Sequence, residues 1–133
     1  EFSVTFEAAS TEGYSIGFSG SGYAIIGLGY LDENEEMLGA TRIINFNENM
    51  FAGSEFVGAP EKMQDTNTMH NIQIESDQVS KNYKIDIASE VYNNLLGIDP
   101  SKIRFIQIVF IAGSTDEDAT ADLYVSELTL LEK

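Results

Sequence analysis

The sequence predicts an all-β domain, an antiparallel β-sandwich or jelly roll with one short helical turn between Ser89 and Leu96. Three observations predict this class. Apolar and polar residues alternate along much of the chain, as they do in half-buried strands. Polar and glycine-rich segments interrupt these stretches at the spacing of turns between short strands. The chain has 133 residues, of which 43% are apolar, so we expect residues 1–133 to form a single domain with its own core.

The predicted strands begin at Phe2 and follow one another at short intervals. Phe2, Val4 and Phe6 alternate with polar residues, which indicates a half-buried first strand. Further strands are predicted at 14–18, 23–31, 37–46, 70–76, 83–87, 103–112 and 121–131, with a short edge strand at 55–57. Residues 19–22 are predicted to form a turn, and 32–36 a hairpin connection. The strand at 103–112 is apolar on both faces, so we expect it to lie centrally between two layers.

One segment has the pattern of a short helix. Ser89 is predicted to cap it, and Val91, Leu95 and Leu96 lie on one face at helical spacing. Gly97 is expected to end the helix. The Asp-Pro pair that follows then turns the chain into the central strand.

Charge and composition exclude several classes of function. The 22 acidic and 7 basic residues give a net charge of −15, so neither nucleic acid nor an anionic membrane is an expected partner. The chain has no cysteine, which excludes disulfides, thiol catalysis and cysteine-ligated metals. Its single histidine, His70, is beside no nucleophile motif and is predicted to be a rim or surface residue at a strand start. We therefore expect no enzyme.

Acidic side chains near the C-terminus suggest a calcium site. Asp116, Asp118, Thr120 and Asp122 place oxygen-bearing side chains at alternate positions, and Glu127 falls where a calcium-binding loop places its closing bidentate ligand. Hard cations favour such carboxylate clusters. Ala121 replaces the glycine that such loops use for their turn, so a solvated acidic loop without metal is the alternative.

Motifs at the two ends of the chain occur together in one family. They are Val4-Thr-Phe-Glu7, Thr11-Glu-Gly-Tyr14, Gly29-Tyr-Leu-Asp-Glu-Asn34, Tyr83-Lys-Ile-Asp-Ile87, Leu96-Gly-Ile-Asp-Pro-Ser-Lys-Ile103, Ile106-Gln-Ile-Val-Phe110 and Leu123-Tyr-Val-Ser-Glu-Leu-Thr-Leu130. This pattern resembles the jelly-roll, galactose-binding-like carbohydrate-binding modules that are appended to polysaccharide-degrading enzymes. Residues 47–69 have no counterpart in the resemblance.

The resemblance implies non-catalytic binding of a polysaccharide or oligosaccharide by a secreted or cell-surface protein. The chain opens with Glu1 and Phe2, which we interpret as a module excised from a larger multimodular protein. Family members often hold a structural calcium with a Glu that matches Glu7 and an Asp where Ser126 stands, and Glu127 is the nearest substitute. The closing strand also resembles accessory domains of phage tail proteins. The alternative function is therefore a structural or adhesion domain that binds protein or cell-wall glycan.

A sugar would be expected on an outward sheet face. In the strand at 23–31, alternation places Ala24, Ile26, Leu28 and Tyr30 inward and two glycines, Gly27 and Gly29, outward, where they leave a trough. In the strand at 103–112 it places Ile106, Ile108 and Phe110 inward and Gln107 outward. The candidate carbohydrate-binding residues are Tyr23, Arg42, Asn45, Asn71, Gln73 and Gln107. Sugar rings stack on aromatic rings, and amides and guanidinium groups bond hydroxyls. The alternative is an ordinary solvated sheet face.

Overall fold

The computed structural model describes residues 2–10, 12–15, 18–44, 65–73, 80–114 and 121–132. Within these ranges, side chains are described for residues 2, 25–44, 65–72, 80–112 and 123–132. The elements are β1 (Phe2–Ser10), β2 (Glu12–Ser15), β3 (Phe18–Leu31), β4 (Met37–Ile44), β5 (Met69–Gln73), β6 (Lys81–Ile85), the helix α1 (Ile87–Asn94), a 3-10 turn (Pro100–Lys102), β7 (Phe105–Ser114) and β8 (Ala121–Leu130).

The strands form two sheets. The small sheet has the order β6-β1-β8 and is antiparallel. In the large sheet, β3 lies between β4 and β7, and its first residues also pair with β2. β5 joins the far side of β4 in a parallel pair, so the large sheet is mixed. The described part of the chain is therefore mostly β, with one helix.

One core joins both sheets and the helix. Its buried residues are Phe2, Ile26, Leu28, Tyr30, Ile43, Ile85, Val91, Leu95 and Ile98. Full burial of a large apolar side chain contributes roughly 1.5–3 kcal/mol. The predicted inward set of β3 is confirmed at Ile26, Leu28 and Tyr30, each at most 1% exposed. The opposite surface of this sheet, to which residues 25, 27 and 29 belong by alternation, is called the outer face below.

The first half of β3 differs from the prediction. Residues 19–22 were expected to form a turn, but they belong to β3, and the preceding strand β2 ends at Ser15 rather than at 18. The reason is pairing: Ser19 and Ser21 lie opposite Tyr14 and Glu12 of β2. A glycine- and serine-rich segment with low strand propensity is held in a strand by its neighbours.

In the strand order that the structure describes, β3 is central and β7 lies beside it, which differs from the expectation that 103–112 lies centrally between two layers. Among the described residues β7 pairs with β3 alone. Ile106 and Ile108 do pack against the core, but Phe110, predicted inward, is 48% exposed. A strand without charged residues can be buried on both faces, but the strand order determines how much of its surface other elements cover.

The helix forms one turn earlier than predicted. Its N-cap is Asp86, whose Oδ1 accepts a hydrogen bond from the backbone N–H of Ser89 at 3.1 Å, so Ser89 is not the cap. Val91 and Leu95 are buried as predicted, but Leu96 is 76% exposed. The reason is that the helix ends at Asn94 and the backbone of Leu95 leaves the helical conformation, so helical spacing no longer applies to Leu96.

The expected turns at 32–36 and at Asp99 are confirmed. Asp32 Oδ1 accepts hydrogen bonds from the N–H groups of Asn34 and Glu36 in the connection between β3 and β4. Asp99 caps the 3-10 turn by accepting from the backbone N–H and the hydroxyl of Ser101. Both bonds hold the pKa of Asp99 below its ordinary value. The edge strand predicted at 55–57 lies outside the described residues. In the described ranges no helix has the length and apolarity that crossing a bilayer requires.

Candidate functional site

Strand register assembles most of the predicted carbohydrate-binding residues on the outer face of the large sheet. One transverse row contains Val109, Gly27, Arg42 and Asn71, from β7 across β3 and β4 to β5. The adjacent row contains Gln107, Gly29, Ala40 and Met69 in the same strand order. Directly paired residues project to the same face of a sheet. The polar side chains therefore lie on both sides of a floor of small residues.

Arg42 and Asn71 form one polar group on this face. The Nε of Arg42 donates to Oδ1 of Asn71 at 2.8 Å, and both residues are half-buried. The backbone N–H of Asn71 donates to Oδ1 of Asp65 at 2.7 Å. Burial lowers the pKa of Arg42, whereas the nearby carboxylate of Asp65 acts in the opposite direction. Asp65 was not among the predicted site residues, because it precedes β5 in a polar loop.

The two glycines between these polar groups, Gly27 and Gly29, differ in the space above them. A methyl group added at Gly27 would lie 3.9 Å from Cβ of Val109, which is ordinary contact. At Gly29 it would lie 3.1 Å from Cε of Met37 and 3.5 Å from Oε1 of Gln107. Among the described atoms, only those of Val109 lie within 4 Å of such a methyl group at Gly27, whereas the flexible Met37 side chain lies over Gly29.

Of the remaining predicted residues, Tyr23 and Gln73 have a known strand register, whereas Asn45 has none. Tyr23 pairs with Gly113 and falls on the outer face by alternation along β3. Gln73 pairs with Ile44 and falls on the same face. The side chains of Tyr23 and Gln73 are not described, and Asn45 lies outside the described residues. Gln107 and Arg42 stand two strand spacings apart, about 10 Å across the sheet.

Two of the predicted calcium ligands, Asp122 and Glu127, lie too far apart to bind the same ion. Residues from Ala121 onward form the extended strand β8. Asp122 and Glu127 are five positions apart on it, about 16 Å at the rise of a strand. Calcium binds its ligands at about 2.3–2.6 Å, so these two carboxylates cannot share one ion. Asp116 and Asp118 lie outside the described residues.

Glu7 and Glu127 are closer neighbours on the small sheet. Glu127 pairs with Thr5, and Glu7 pairs with Tyr124. Since Thr5 and Glu7 share a face of β1 by alternation, Glu7 and Glu127 fall on one face in diagonal positions. The described residues contain no group of three or more acidic or histidine side chains that could hold a metal ion. The calcium site therefore stays a prediction.

A buried polar network on the core side of the sheet was not predicted. Thr41, which is fully buried, donates its hydroxyl hydrogen to Oε1 of Glu90 at 2.9 Å and lies 2.9 Å from the hydroxyl of Tyr30. Glu90 is 9% exposed, and its Oε2 accepts from Nδ2 of Asn94 at 2.8 Å. Nδ1 of His70 pairs with Oε1 of the same carboxylate at 2.5 Å. The network ties β3, β4, β5 and α1 together.

His70 lies near the start of β5, as predicted, but its partner was not predicted. It is half-buried and pairs with the buried Glu90. The alternation that places Ile72 toward the core also places His70 there, so the signal was present in β5. A carboxylate that orients an imidazole occurs in catalytic triads. In this network, however, the hydroxyl of Thr41 donates to the carboxylate and not to the imidazole.

Clefts in the described part of the chain adjoin these elements. A polar cleft of about 230 Å³ between β5, β6 and α1 is lined by residues that include Lys84, Glu90 and Asn93. A charged cleft of about 260 Å³ brings Asp32 and Glu33 of the hairpin to Lys102 and Arg104. An apolar cleft of about 580 Å³ is lined by Ile87, Ala88, Val91, Pro100, Ile103, Ile106, Leu130, Leu131 and Glu132.

Comparisons with known proteins give no indication of the function. No protein-family model, curated protein or solved structure matches this chain.

Proposed function

We propose that this chain is a non-catalytic carbohydrate-binding module that holds a soluble polysaccharide or oligosaccharide chain on the outer face of the large sheet. The observation that carries the proposal is the position of Gln107 and the Arg42–Asn71 pair on opposite sides of the β3 glycines, with Gln107 beside Gly29 and Arg42 beside Gly27. The proposed architecture is a β-sandwich of the jelly-roll type. The module belongs to a secreted or cell-surface protein with further modules.

The residue types on this face suit a glycan. A glycine in the middle of a strand lets a ligand approach the backbone closely. Gln107 is exposed, and its amide offers two donors and one acceptor to sugar hydroxyls. The guanidinium of Arg42 is directed by its bond to Asn71, which reduces the conformational entropy lost when a ligand binds. Tyr23 supplies an aromatic residue on the same face by register.

The charges favour an uncharged glycan. Arg42 is a cation on this face, but it lies beside Asp65, and the whole chain carries a net charge of −15. A polyanion would therefore be repelled at long range, whereas a neutral chain would not. The ligands to test first are neutral polysaccharides: β-glucans, mannans, galactans and xylans.

The test is affinity gel electrophoresis on these four glycans, followed by calorimetry on the best ligand. Gly27→Val fills the open part of the trough with a side chain that β-strands favour, and we expect at least tenfold weaker binding with an unchanged melting temperature. Gln107→Ala should weaken binding as well. Asn93→Ala removes an exposed amide from α1 and serves as the matched control. Wild-type protein that is not retarded by any of the glycans would leave the proposal without support.

A second candidate is a structural or adhesion domain of a surface or phage tail assembly. The observation that favours it is the position of the exposed apolar residues: in the described part of the chain, Phe105, Phe110 and Ile111 are on β7, and Tyr124, Val125, Leu128 and Leu130 are on β8. Such concentrations often mark protein contacts. Absence of glycan binding, together with binding of an apolar fluorescent dye that Leu128→Lys abolishes, would favour this function.

A further inference from the structure

The apolar cleft of about 580 Å³ lies where α1, the 3-10 turn, the start of β7 and the end of β8 meet. Its lining includes the buried Val91 and two leucines, Leu130 and Leu131, which are each 52% exposed. The exposure of these leucines shows that the cleft is open to solvent. Its volume lies within the range of about 300–1,000 Å³ that is typical of binding sites for small molecules.

Hydrogen bonds and core packing hold the walls of this cleft in place. Asp86 caps α1, and Asp99 caps the 3-10 turn. The N–H of Ile103 donates to the carbonyl oxygen of Pro100 at 3.2 Å, which fixes the end of that turn. Ile106 packs against the core. Because the walls are already ordered, a ligand would lose little free energy in organising them.

The cleft and the proposed glycan surface lie on opposite sides of β7. Ile106 lines the cleft and packs against the core, whereas Gln107, the next residue, projects to the outer face by alternation. A ligand in the cleft therefore leaves the outer face free. The two proposals are independent of each other.

Charge indicates which kind of apolar molecule suits the cleft. Among the described lining residues, Glu132 alone has a polar side chain, and the other eight are apolar. The described basic residues nearest to the lining in sequence, Lys102 and Arg104, line the separate charged cleft with Asp32 and Glu33. The chain as a whole carries a net charge of −15. An anionic ligand would therefore be repelled, whereas a cationic ligand would be attracted both by Glu132 and by the whole chain.

We propose that this cleft binds a small apolar molecule that carries one positively charged amine. The apolar lining contacts the hydrocarbon part of the ligand, and the carboxylate of Glu132 pairs with its ammonium group. Burial of the hydrocarbon supplies most of the binding free energy. Glu132 is exposed, so its ion pair adds little affinity and serves mainly to discriminate between head groups of different charge.

The experiment compares three ligands that share one apolar group: 4-phenylbutylamine, 4-phenylbutanol and 4-phenylbutyrate. Each is titrated into the whole chain, labelled with nitrogen-15, in 20 mM NaCl at pH 7, and binding is followed by changes in the NMR shifts of the backbone amides. We expect the amine to bind at least tenfold more tightly than the acid, with the alcohol between them. The largest shifts should fall at Ala88, Val91 and Leu131. The advantage of the amine should decrease in 500 mM NaCl, because salt screens the charges.

Variants separate the charge from the apolar lining. Glu132→Gln should weaken binding of the amine about threefold to tenfold and leave binding of the alcohol unchanged. Glu127→Gln removes the same charge from an exposed residue outside the lining and serves as the matched control. Ala88→Phe fills the cleft from an exposed position on α1 and should weaken binding of all three ligands. Leu131→Ser replaces Ala88→Phe if the latter lowers the melting temperature.

Several results would overturn the proposal. Equal affinities of the amine and the acid, or an equal loss of amine binding in Glu132→Gln and Glu127→Gln, would refute the ligand class. Shifts that fall outside the cleft, or no binding of any of the three ligands at millimolar concentration, would refute the site. Shifts of the same amides that depend on protein concentration without ligand would assign the cleft to a second copy of this chain and so overturn the proposal as well. Glycan binding is measured separately and affects none of these outcomes.

Discussion

Tyr30 has a fully buried ring, and its hydroxyl lies 2.9 Å from Oγ1 of Thr41. Burial raises the pKa of Tyr30 to about 12. The hydrogen bond with Thr41 acts against this rise, and the charge of Glu90 adds to it. The reason is that an ionised phenol would be poorly solvated in the core and close to another negative charge. The hydroxyl is thus held in its neutral form mainly by burial, with a smaller contribution from Glu90, the carboxylate that also pairs with His70.

This pKa predicts a loss of stability at high pH. A tyrosine in an unfolded chain titrates near pH 10, so the folded state keeps its proton more tightly. The contribution is fully present below pH 10 and is lost as the pH rises toward 12, by about 2.7 kcal/mol in total. Urea unfolding at pH 9 and pH 12 should show this extra loss in the wild type and not in Tyr30→Phe. Equal losses in both proteins would contradict the assignment.

Glu90 connects the network to the helix, and its charge faces the half-buried His70. Glu90→Gln keeps the size of the side chain but replaces an acceptor of three hydrogen bonds with an amide. We expect the free energy of unfolding to fall by about 1–3 kcal/mol, less than for a fully buried pair because His70 is partly exposed. Glu33→Gln in the exposed hairpin is the control and should change it by less than about 0.5 kcal/mol. Equal effects of the two substitutions in urea unfolding would show that the network contributes nothing.

At the scale of elements, two glycines of adjacent strands should respond differently to the same substitution. A methyl group at Gly39 in β4 would overlap with Cδ1 of Ile98 and the carbonyl oxygen of Thr68. That carbonyl accepts a hydrogen bond from the N–H of Ala40, so it cannot move freely. At Gly27 in β3 the nearest described atoms are those of Val109, at ordinary contact distance from the methyl group.

We therefore expect Gly39→Ala to destabilise the fold by about 1–3 kcal/mol through overpacking. Gly27→Ala should be neutral or should stabilise by up to about 1 kcal/mol, because alanine loses less backbone entropy on folding. Thermal and urea unfolding of the two variants provide the measurement. If Gly27→Ala is as destabilising as Gly39→Ala, then the trough over Gly27 is not open, and the proposed binding surface fails with it.

The presence of a strand could be predicted because the alternation of apolar and polar residues is a property of the local sequence. The patterns around Phe2, in 37–46 and in 121–131 each identified a strand that is present. Element ends were less predictable. Pairing with β2 extends β3 through 19–22, and the cap at Asp86 starts α1 before Ser89. A strand partner lies elsewhere in the sequence, so no local pattern contains it.

At the scale of the whole molecule, the excess of fifteen negative charges makes folding sensitive to cations. Like charges repel more strongly in the compact state than in the unfolded chain. Salt should therefore stabilise the domain in general. A bound calcium ion should add a specific effect of about 2.7 kcal/mol at a hundredfold excess over its dissociation constant.

The measurement is a thermal melt in EDTA, in matched NaCl, in MgCl₂ and in CaCl₂. We expect a rise in melting temperature that is specific to calcium. Loss of that rise in Asp118→Ala would assign the ion to the acidic segment, whereas loss in Glu7→Ala would assign it to the face shared by Glu7 and Glu127. Equal melting temperatures in MgCl₂ and CaCl₂ would show that the chain has no specific calcium site.

The sequence by itself determined the class of the chain and the composition of the outer face. Alternation is sufficient to sort Ile26, Leu28 and Tyr30 from the glycines between them, because the pleat has a period of two whatever the strand order. It also singled out Gln107, the polar residue within an uncharged run. Net charge and the absence of cysteine limited the chemistry before any fold was known.

Only the tertiary structure decided which strands are neighbours. In the described part of the chain, strand order placed β3 at the centre of the large sheet with β7 beside it, joined Arg42 to Asn71, and brought His70 from β5 to Glu90 on α1. These contacts join residues twenty or more positions apart, and their free energy depends on burial that each segment acquires only when the others pack against it. Local sequence shows which face of a strand is apolar, but the partner that covers that face is determined by the packing of the whole chain.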